Sequence, residues 1–413
     1  MIPLVDQALQ VSGMFLTNLI LARTQSKEEY GAFVLCYSFF ILITSVHNGA
    51  ILEAYTVYGA GRFRHSFAEY SKLILRANVR VGLGLGFALL MIGLSARAAG
   101  YPSLAGSLVG LSFAALPALS SAVIRRGLYV ADKIAVSARM SAVYSVLLVG
   151  GLILLAVTNR LNGMSVFILL GVAWWIVVGL FFIAWADGAS GQTFLIQNPS
   201  YWREHWRYSK WVLASTAVQQ VTLQAYYWIT AAVLSSREVA DLRALHLLVL
   251  PMDQVLSVLF LVFMPLLARA FDEANGVQFR HIWKTYWTTI VIVTAGFAFV
   301  LSNVGTMVAR MVYGSKFENV IGLLPLLALL PLLMGVGGAM NDALKAGQRP
   351  KSIFRAYVVG AVFTVLVGIP ITAKFGLLGA VLGMIISALT YMLAMMISFR
   401  QLLRIPWLRS PQT

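Results

Sequence analysis

Charge is scarce in this chain. Asp, Glu, Lys and Arg make up 11% of its 413 residues, too little to coat a water-soluble globule of that length. Acid is scarcer still, with 15 Asp and Glu against 31 Lys and Arg. Cysteine is all but missing: the single Cys36 excludes an internal disulfide and any cysteine-built zinc site, and it reads as a small apolar helix residue. There is no phosphate loop either. Gly82-Leu83-Gly84-Leu85-Gly86 has no strand before it and no Lys-Ser/Thr after it, so close helix packing accounts for it and direct ATP drive is excluded. No paired carboxylates, no nucleophile with a base and no metal cluster can be assembled from the remaining residues. The expectation is therefore no cofactor, no metal and no enzyme.

What is present is apolar. Apolar residues form 60% of the chain, in recurring runs of about 20 residues, each long enough to cross a hydrocarbon core of about 30 Å. The stretch from Val81 to Leu94 lacks the strict alternation of a barrel strand. The spans are thus helices, expected near 5–24, 31–58, 72–95, 104–124, 136–157, 164–186, 210–234, 243–267, 284–308, 319–340, 353–373 and 376–399. With no basic n-region before it, the first span reads as helix one rather than a cleavable signal peptide. Alternate loops hold 22 and 9 of the 31 Lys and Arg, which predicts a multi-pass protein of the bacterial inner membrane with both termini cytoplasmic. Because these cations are scattered between spans, the net charge of +16 points to membrane lipid headgroups and not to nucleic acid.

The longest polar stretch, 188–209, ends in Tyr201-Trp202-Arg203-Glu204-His205-Trp206-Arg207 and reads as a cytoplasmic linker at headgroup depth. It separates an N-lobe, 1–187, from a C-lobe, 210–413. Across it runs a weak repeat: Ser26-Lys27-Glu28 answers Ser236-Arg237-Glu238, Pro117 answers Pro331, and Arg160 answers Lys374. Six helices per copy gives both copies one orientation, so the expected fold is all-α, twelve transmembrane helices in two six-helix lobes around a central cavity.

Short motifs add a resemblance. Asp6-Gln7, Ser12-Gly13-Met14-Phe15, Asn18, Leu21-Ala22-Arg23 and Glu29-Tyr30-Gly31-Ala32-Phe33, with Val312-Tyr313-Gly314-Ser315-Lys316-Phe317 and Lys374-Phe375-Gly376-Leu377-Leu378-Gly379-Ala380 in the second half, resemble the polysaccharide transporter family of the multidrug/oligosaccharidyl-lipid/polysaccharide flippase superfamily. The resemblance implies alternating access and a flippase carrying a polyprenyl-pyrophosphate-linked oligosaccharide to the outer leaflet. It also implies work beside proteins of polysaccharide assembly.

Such a substrate needs hydrogen-bonding side chains for sugar and cations for pyrophosphate. Polar stripes on helix one (Gln10, Asn18) and helix seven (Thr216, Gln220, Gln224, Tyr227) are the expected cavity lining; hydrogen bonding between packed helices is the other use of such residues. Arg23, Arg80, Arg139 and Arg243 are the pyrophosphate candidates, since a planar guanidinium donates two bonds at once. Acids inside spans are costly, so Asp6, Glu53 and Asp253 are candidates for coupling to H+ or Na+, with structural ion pairing as the alternative. Two other readings stand beside this one. A multidrug exporter of the same superfamily would favour carboxylates and aromatics; a polymerase or ligase of polysaccharide assembly would need catalytic acids or a large outer loop.

Overall fold

A computed structural model of the chain describes residues 2–61, 63–186 and 199–405; the side chains of 2–12, 183–186, 199–200, Trp211, Ser215 and Leu261 lie outside the described residues. All regular structure among the described residues is helical. Helix α1 is Ile2–Thr24, α2 Lys27–His47, α3 Glu53–Ala60, α4 Phe67–Ala98, α5 Pro102–Val130, α6 Ile134–Val157 and α7 Gly163–Ala186. Then come α8 Pro199–Val233, α9 Ser236–Leu247, α10 Leu250–Asp272, α11 Gly276–Tyr313, α12 Leu324–Leu327, α13 Leu330–Ala346, α14 Pro350–Phe363 and α15 Ile369–Leu402.

Nine stretches of the described residues are long and apolar enough to cross a bilayer. One of them, Pro350–Leu402, is two spans, because Gly376 sits at φ 61° inside α15, a left-handed conformation that costs glycine little. With α1 and α8 the total is twelve, as the hydropathy pattern predicts. The observed helices run longer than their apolar windows. Basic residues lie toward their ends, Arg76 and Lys284 in the third turn and Lys345 in the last, where a helix leaving hydrocarbon can solvate them without unwinding. Hydropathy sees only the middle of such a helix.

The chain divides into two compact units, Met1–Gln220 and Val221–Thr413. Residues 188–198 of the stretch read as a linker lie outside the described residues, and 199–209 are helical, the first turns of α8. Tyr201, His205 and Ser209, four residues apart, are all buried. That stripe gives the segment a face to pack and hence a reason to be helical.

In the first unit α5 is central, packing on α2, α4 and α7. Gly82 and Gly86 bring α4 onto it, since an added Cβ would lie 2.6 Å from Leu116 and 2.9 Å from the Ser112 carbonyl. Ser26 caps α2 by accepting from the Glu29 amide at 3.2 Å, while Glu29 Oε1 accepts from the Gly163 amide at 2.8 Å, at the start of α7. The second unit repeats the cap with Ser235, which accepts from the Arg237 amide at 3.1 Å and donates to Glu238. Its core gathers Phe279, Tyr286, Ile290, Tyr391, Met395 and Phe399 from α11 and α15.

A break at Ala328–Leu329 separates α12 from α13, and three further irregularities interrupt the spans. Residues Asn48–Leu52 form a π-helical turn between α2 and α3, and Thr364–Gly368 form another between α14 and α15. Span eight, expected as one helix, is two: α9 stops at Leu247 and α10 begins at Leu250, with Pro251 in its first turn, where a missing amide is harmless.

The second π turn packs on Tyr226, whose hydroxyl bonds the Ser387 hydroxyl at 2.8 Å. Cβ atoms at Gly368 or Gly383 would each come within 2.7 Å of that ring. Gly383→Ala should therefore cost about 1–3 kcal/mol as overpacking and lower the melting temperature of the detergent-purified protein. Gly84→Ala, with nothing within 4 Å of its Cβ, should leave it unchanged or raise it.

Candidate functional site

In each unit, one cluster of buried polar side chains sits at a helix irregularity. The reason is local. A π turn or a break leaves backbone groups without their helical partners, and hydrocarbon offers no replacement, so side chains must supply it.

Around the first π turn, Asn48 is the hub. Its Oδ1 accepts from Arg126 of α5 at 2.9 Å and its Nδ2 donates to Glu53 Oε1 at 3.1 Å. One residue earlier, His47, 5% exposed, meets the Asn78 side-chain oxygen on α4 at 2.8 Å, and Asn78 donates to the Ser120 hydroxyl of α5 at 3.0 Å. Inside the turn, the Ala50 carbonyl accepts from His205 Nε2 at 2.9 Å, which leaves His205 Nδ1 to accept from the Tyr70 hydroxyl at 2.6 Å. Gly49 lets the turn approach α8: an added Cβ would lie 3.2 Å from the Leu213 backbone and 3.3 Å from the Thr216 hydroxyl.

The second unit's cluster lies before the break of span eight. Arg243 of α9 is 7% exposed. Its guanidinium lies over the Tyr227 ring, 5.7 Å from the centroid, and donates to the Tyr227 hydroxyl at 3.2 Å. That hydroxyl also meets His246 Nδ1 at 2.7 Å. The Tyr313 hydroxyl donates to the Ala244 carbonyl at 3.0 Å, and Asp253, past the break, is within electrostatic reach of Arg243. Gln224, one turn before Tyr227 on α8, is buried, and its Oε1 has no hydrogen-bond partner among the described residues.

The residues singled out by sequence separate accordingly. Arg243, Tyr227 and Asp253 come together in the second unit, with Gln224 a turn away. Thr216 and Gln220 belong to the first unit, where both are half-buried. Glu53 is held by Asn48. Asn18 is buried and donates to the Met14 carbonyl of its own helix at 2.9 Å. Arg23, Arg80 and Arg139 are exposed. Asp6 and Gln10 have side chains outside the described residues.

Asn78 and Asp342 are among the buried polar groups that escaped the hydropathy reading. Asn78 is one buried amide in an otherwise unremarked turn. Asp342 fell just past the expected end of span ten, but α13 continues to Ala346 and buries it. It accepts from the Tyr286 hydroxyl at 2.9 Å and lies 3.7 Å from the Lys345 amine. The signal was there in Asn341-Asp342, adjoining an unbroken apolar and glycine run.

Tyr227 holds the second cluster together. Tyr227→Phe removes the hydroxyl shared by Arg243 and His246 and should destabilise the protein by about 1–2 kcal/mol, read as a lower melting temperature. Tyr227→Ala, which also removes the ring beneath the guanidinium, should cost more; equal values would show that the ring adds nothing beyond the hydroxyl.

No protein-family model matches the chain, and no curated protein matches it in sequence. Solved structures do match in shape. The chain is similar to the inward-facing form of a multidrug resistance MATE family transporter of the MOP superfamily, at 13% identity over 98% of this chain and 99% of that one, with a TM-score of 0.75. It is similar to the lipid II flippase MurJ in an inward closed form, at 14% identity over 97% and 87% of the two chains, TM-score 0.73. A MOP superfamily transporter from Pyrococcus furiosus matches at 12% identity over 98% and 94%, TM-score 0.64. These likenesses establish that the chain has the fold of MOP superfamily transporters.

Proposed function

We propose that this chain is a transporter of the bacterial inner membrane that moves a polyprenyl-pyrophosphate-linked oligosaccharide from the cytoplasmic to the outer leaflet by alternating access. The observation that carries the reading is Arg243, a guanidinium buried in the second unit and oriented by Tyr227. Keeping a cation there is costly, and a planar fork held by an aromatic face suits a diphosphate better than an ammonium would. Gln224 and Tyr227 supply neutral hydrogen-bonding groups on the same side of α8, of the kind a sugar needs. The motif resemblance to polysaccharide transporters and the likeness to a lipid flippase support the same substrate class.

Asp253 gives the site a means of coupling. Its carboxylate and an incoming phosphate compete for one guanidinium. A proton or Na+ taken up by Asp253 would free Arg243 for the anion, and loss of that cation would favour release. The membrane potential adds to the drive, since each negative charge moved outward gains about 2.3 kcal/mol per 100 mV.

A second reading is favoured by Asp342. Its carboxylate meets Tyr286, whose ring stacks on Phe263 at 4.5 Å and stands edge-on to Trp283 at 6.4 Å. A carboxylate among aromatic rings is a recognition chemistry for organic cations, as a multidrug exporter would use.

Purified protein in liposomes, given a fluorescent polyprenyl-pyrophosphate oligosaccharide, should expose the headgroup to an external quencher without covalent change. Arg243→Gln should slow this at least about tenfold, the effect of losing roughly 1.4 kcal/mol or more of charge-assisted binding, and Arg243→Lys should restore only part. Arg80→Gln, at an exposed position, should change the rate less than about twofold. Full activity in Arg243→Gln would end the reading, and movement of an organic cation abolished by Asp342→Asn would establish the second one. Asp253→Asn should remove the response to an imposed pH or Na+ gradient. Orientation is checked separately: a C-terminal green fluorescent protein should fluoresce and a C-terminal alkaline phosphatase should be inactive.

A further inference from the structure

The first turns of α8 have two faces, and the proposed transport uses neither. One face is bound into the first unit. Tyr201 stands edge-on to Phe63 at 4.6 Å, His205 bridges the Tyr70 hydroxyl and the Ala50 carbonyl, and the Tyr58 hydroxyl donates to the Glu204 carbonyl at 3.3 Å. The other face is open. Trp202 and Trp206, four residues apart, are 43% and 48% exposed, and Arg203 and Arg207, also four apart, are exposed beside them. Through Phe63 the neighbouring turn brings a further exposed cation, Arg64.

Two indole rings and two guanidinium groups, each pair one helical turn apart, match the two layers of a membrane interface. Indole prefers the glycerol and carbonyl depth, and guanidinium prefers phosphate just above it. The surface is a convex helix face and not a cleft, so it suits many headgroups laid side by side better than one enclosed sugar. Its charge is of one sign. We propose that the first turns of α8 form a binding surface for anionic phospholipid headgroups, with Arg203 and Arg207 on the phosphates and Trp202 and Trp206 seated beneath them. The surface has a connection inward. Trp202 stacks on His205 at 5.2 Å with the rings 10° apart, and His205 holds the carbonyl of the first π turn. Lipid binding on one side of the imidazole therefore steadies the π turn on the other. This inference needs only that the chain spans a membrane, and it stands whichever substrate is carried.

The test uses the full chain in nanodiscs of phosphatidylcholine with increasing phosphatidylglycerol, reading retained lipid by native mass spectrometry and melting temperature by heating. The wild type should retain phosphatidylglycerol over phosphatidylcholine and gain melting temperature from it. Arg203→Gln with Arg207→Gln should weaken phosphatidylglycerol retention roughly tenfold or more, at about 1 kcal/mol per cation near a headgroup layer, and should lose the temperature gain. Retention unchanged in the double variant overturns the proposal. So does a wild-type preference that survives salt raised from about 0.05 M to about 0.5 M, where exposed charge pairs are screened. Inorganic pyrophosphate in pure phosphatidylcholine nanodiscs separates the remaining source: if it raises the melting temperature of the wild type but not of the double variant, these arginines read a soluble or substrate phosphate and the lipid assignment fails. Should the double variant not fold, each single variant and the salt series on the wild type carry the same decision.

Discussion

Hydrocarbon offers no hydrogen bonds, and the whole chain is arranged around that fact. A regular helix satisfies its own backbone and can be left to lipid; a helix that bulges or breaks cannot. Three irregularities in the spans have polar side chains gathered on them. The turn Asn48–Leu52 receives His205 on a freed carbonyl and organises Arg126 and Glu53 through Asn48. The break at Leu248–Val249 follows directly on Arg243 and His246. The turn Thr364–Gly368 is met by Tyr226, Ser387 and its own Thr364, whose hydroxyl donates to Ser387 at 3.0 Å.

The two units meet the constraint with different chemistry. In the first, most partners are neutral: His47, Asn78 and Ser120 pass a hydrogen bond across three helices, and Arg126 reaches an amide, not a carboxylate. Such a network fixes geometry and asks little of the surrounding medium. In the second, Arg243 and Asp253 put opposite charges on either side of a helix break. A guanidinium buried like that of Arg243 costs more than it stabilises in such surroundings, which is the physical argument for reading it as a working part. Asp342, deep in the same unit with a tyrosine hydroxyl and a nearby lysine, is a further buried acid of that kind.

Helix α8 bears on both. Its early turns are tied to the first π turn through His205, and its later turns supply Gln224, Tyr226 and Tyr227 to the second unit. A single helix thus carries residues of each polar cluster, with an open basic and aromatic face at its start.

Much of the fold was legible in the sequence. Run length set the number of spans and glycine spacing marked close helix packing in α4, because each of these depends on local chain physics. The repeated Ser26-Lys27-Glu28 and Ser236-Arg237-Glu238 fall at the starts of α2 and α9, although the cap of α9 is Ser235. What the sequence could not supply was partnership. That His205 belongs to Ala50 and Tyr70, that Asn48 joins Arg126 to Glu53, and that Arg243 alone of the four candidate arginines is buried are facts about residues 5 to 155 positions apart in the chain. Hydropathy ranks a side chain by its own cost in lipid; only tertiary packing decides which neighbour meets that cost.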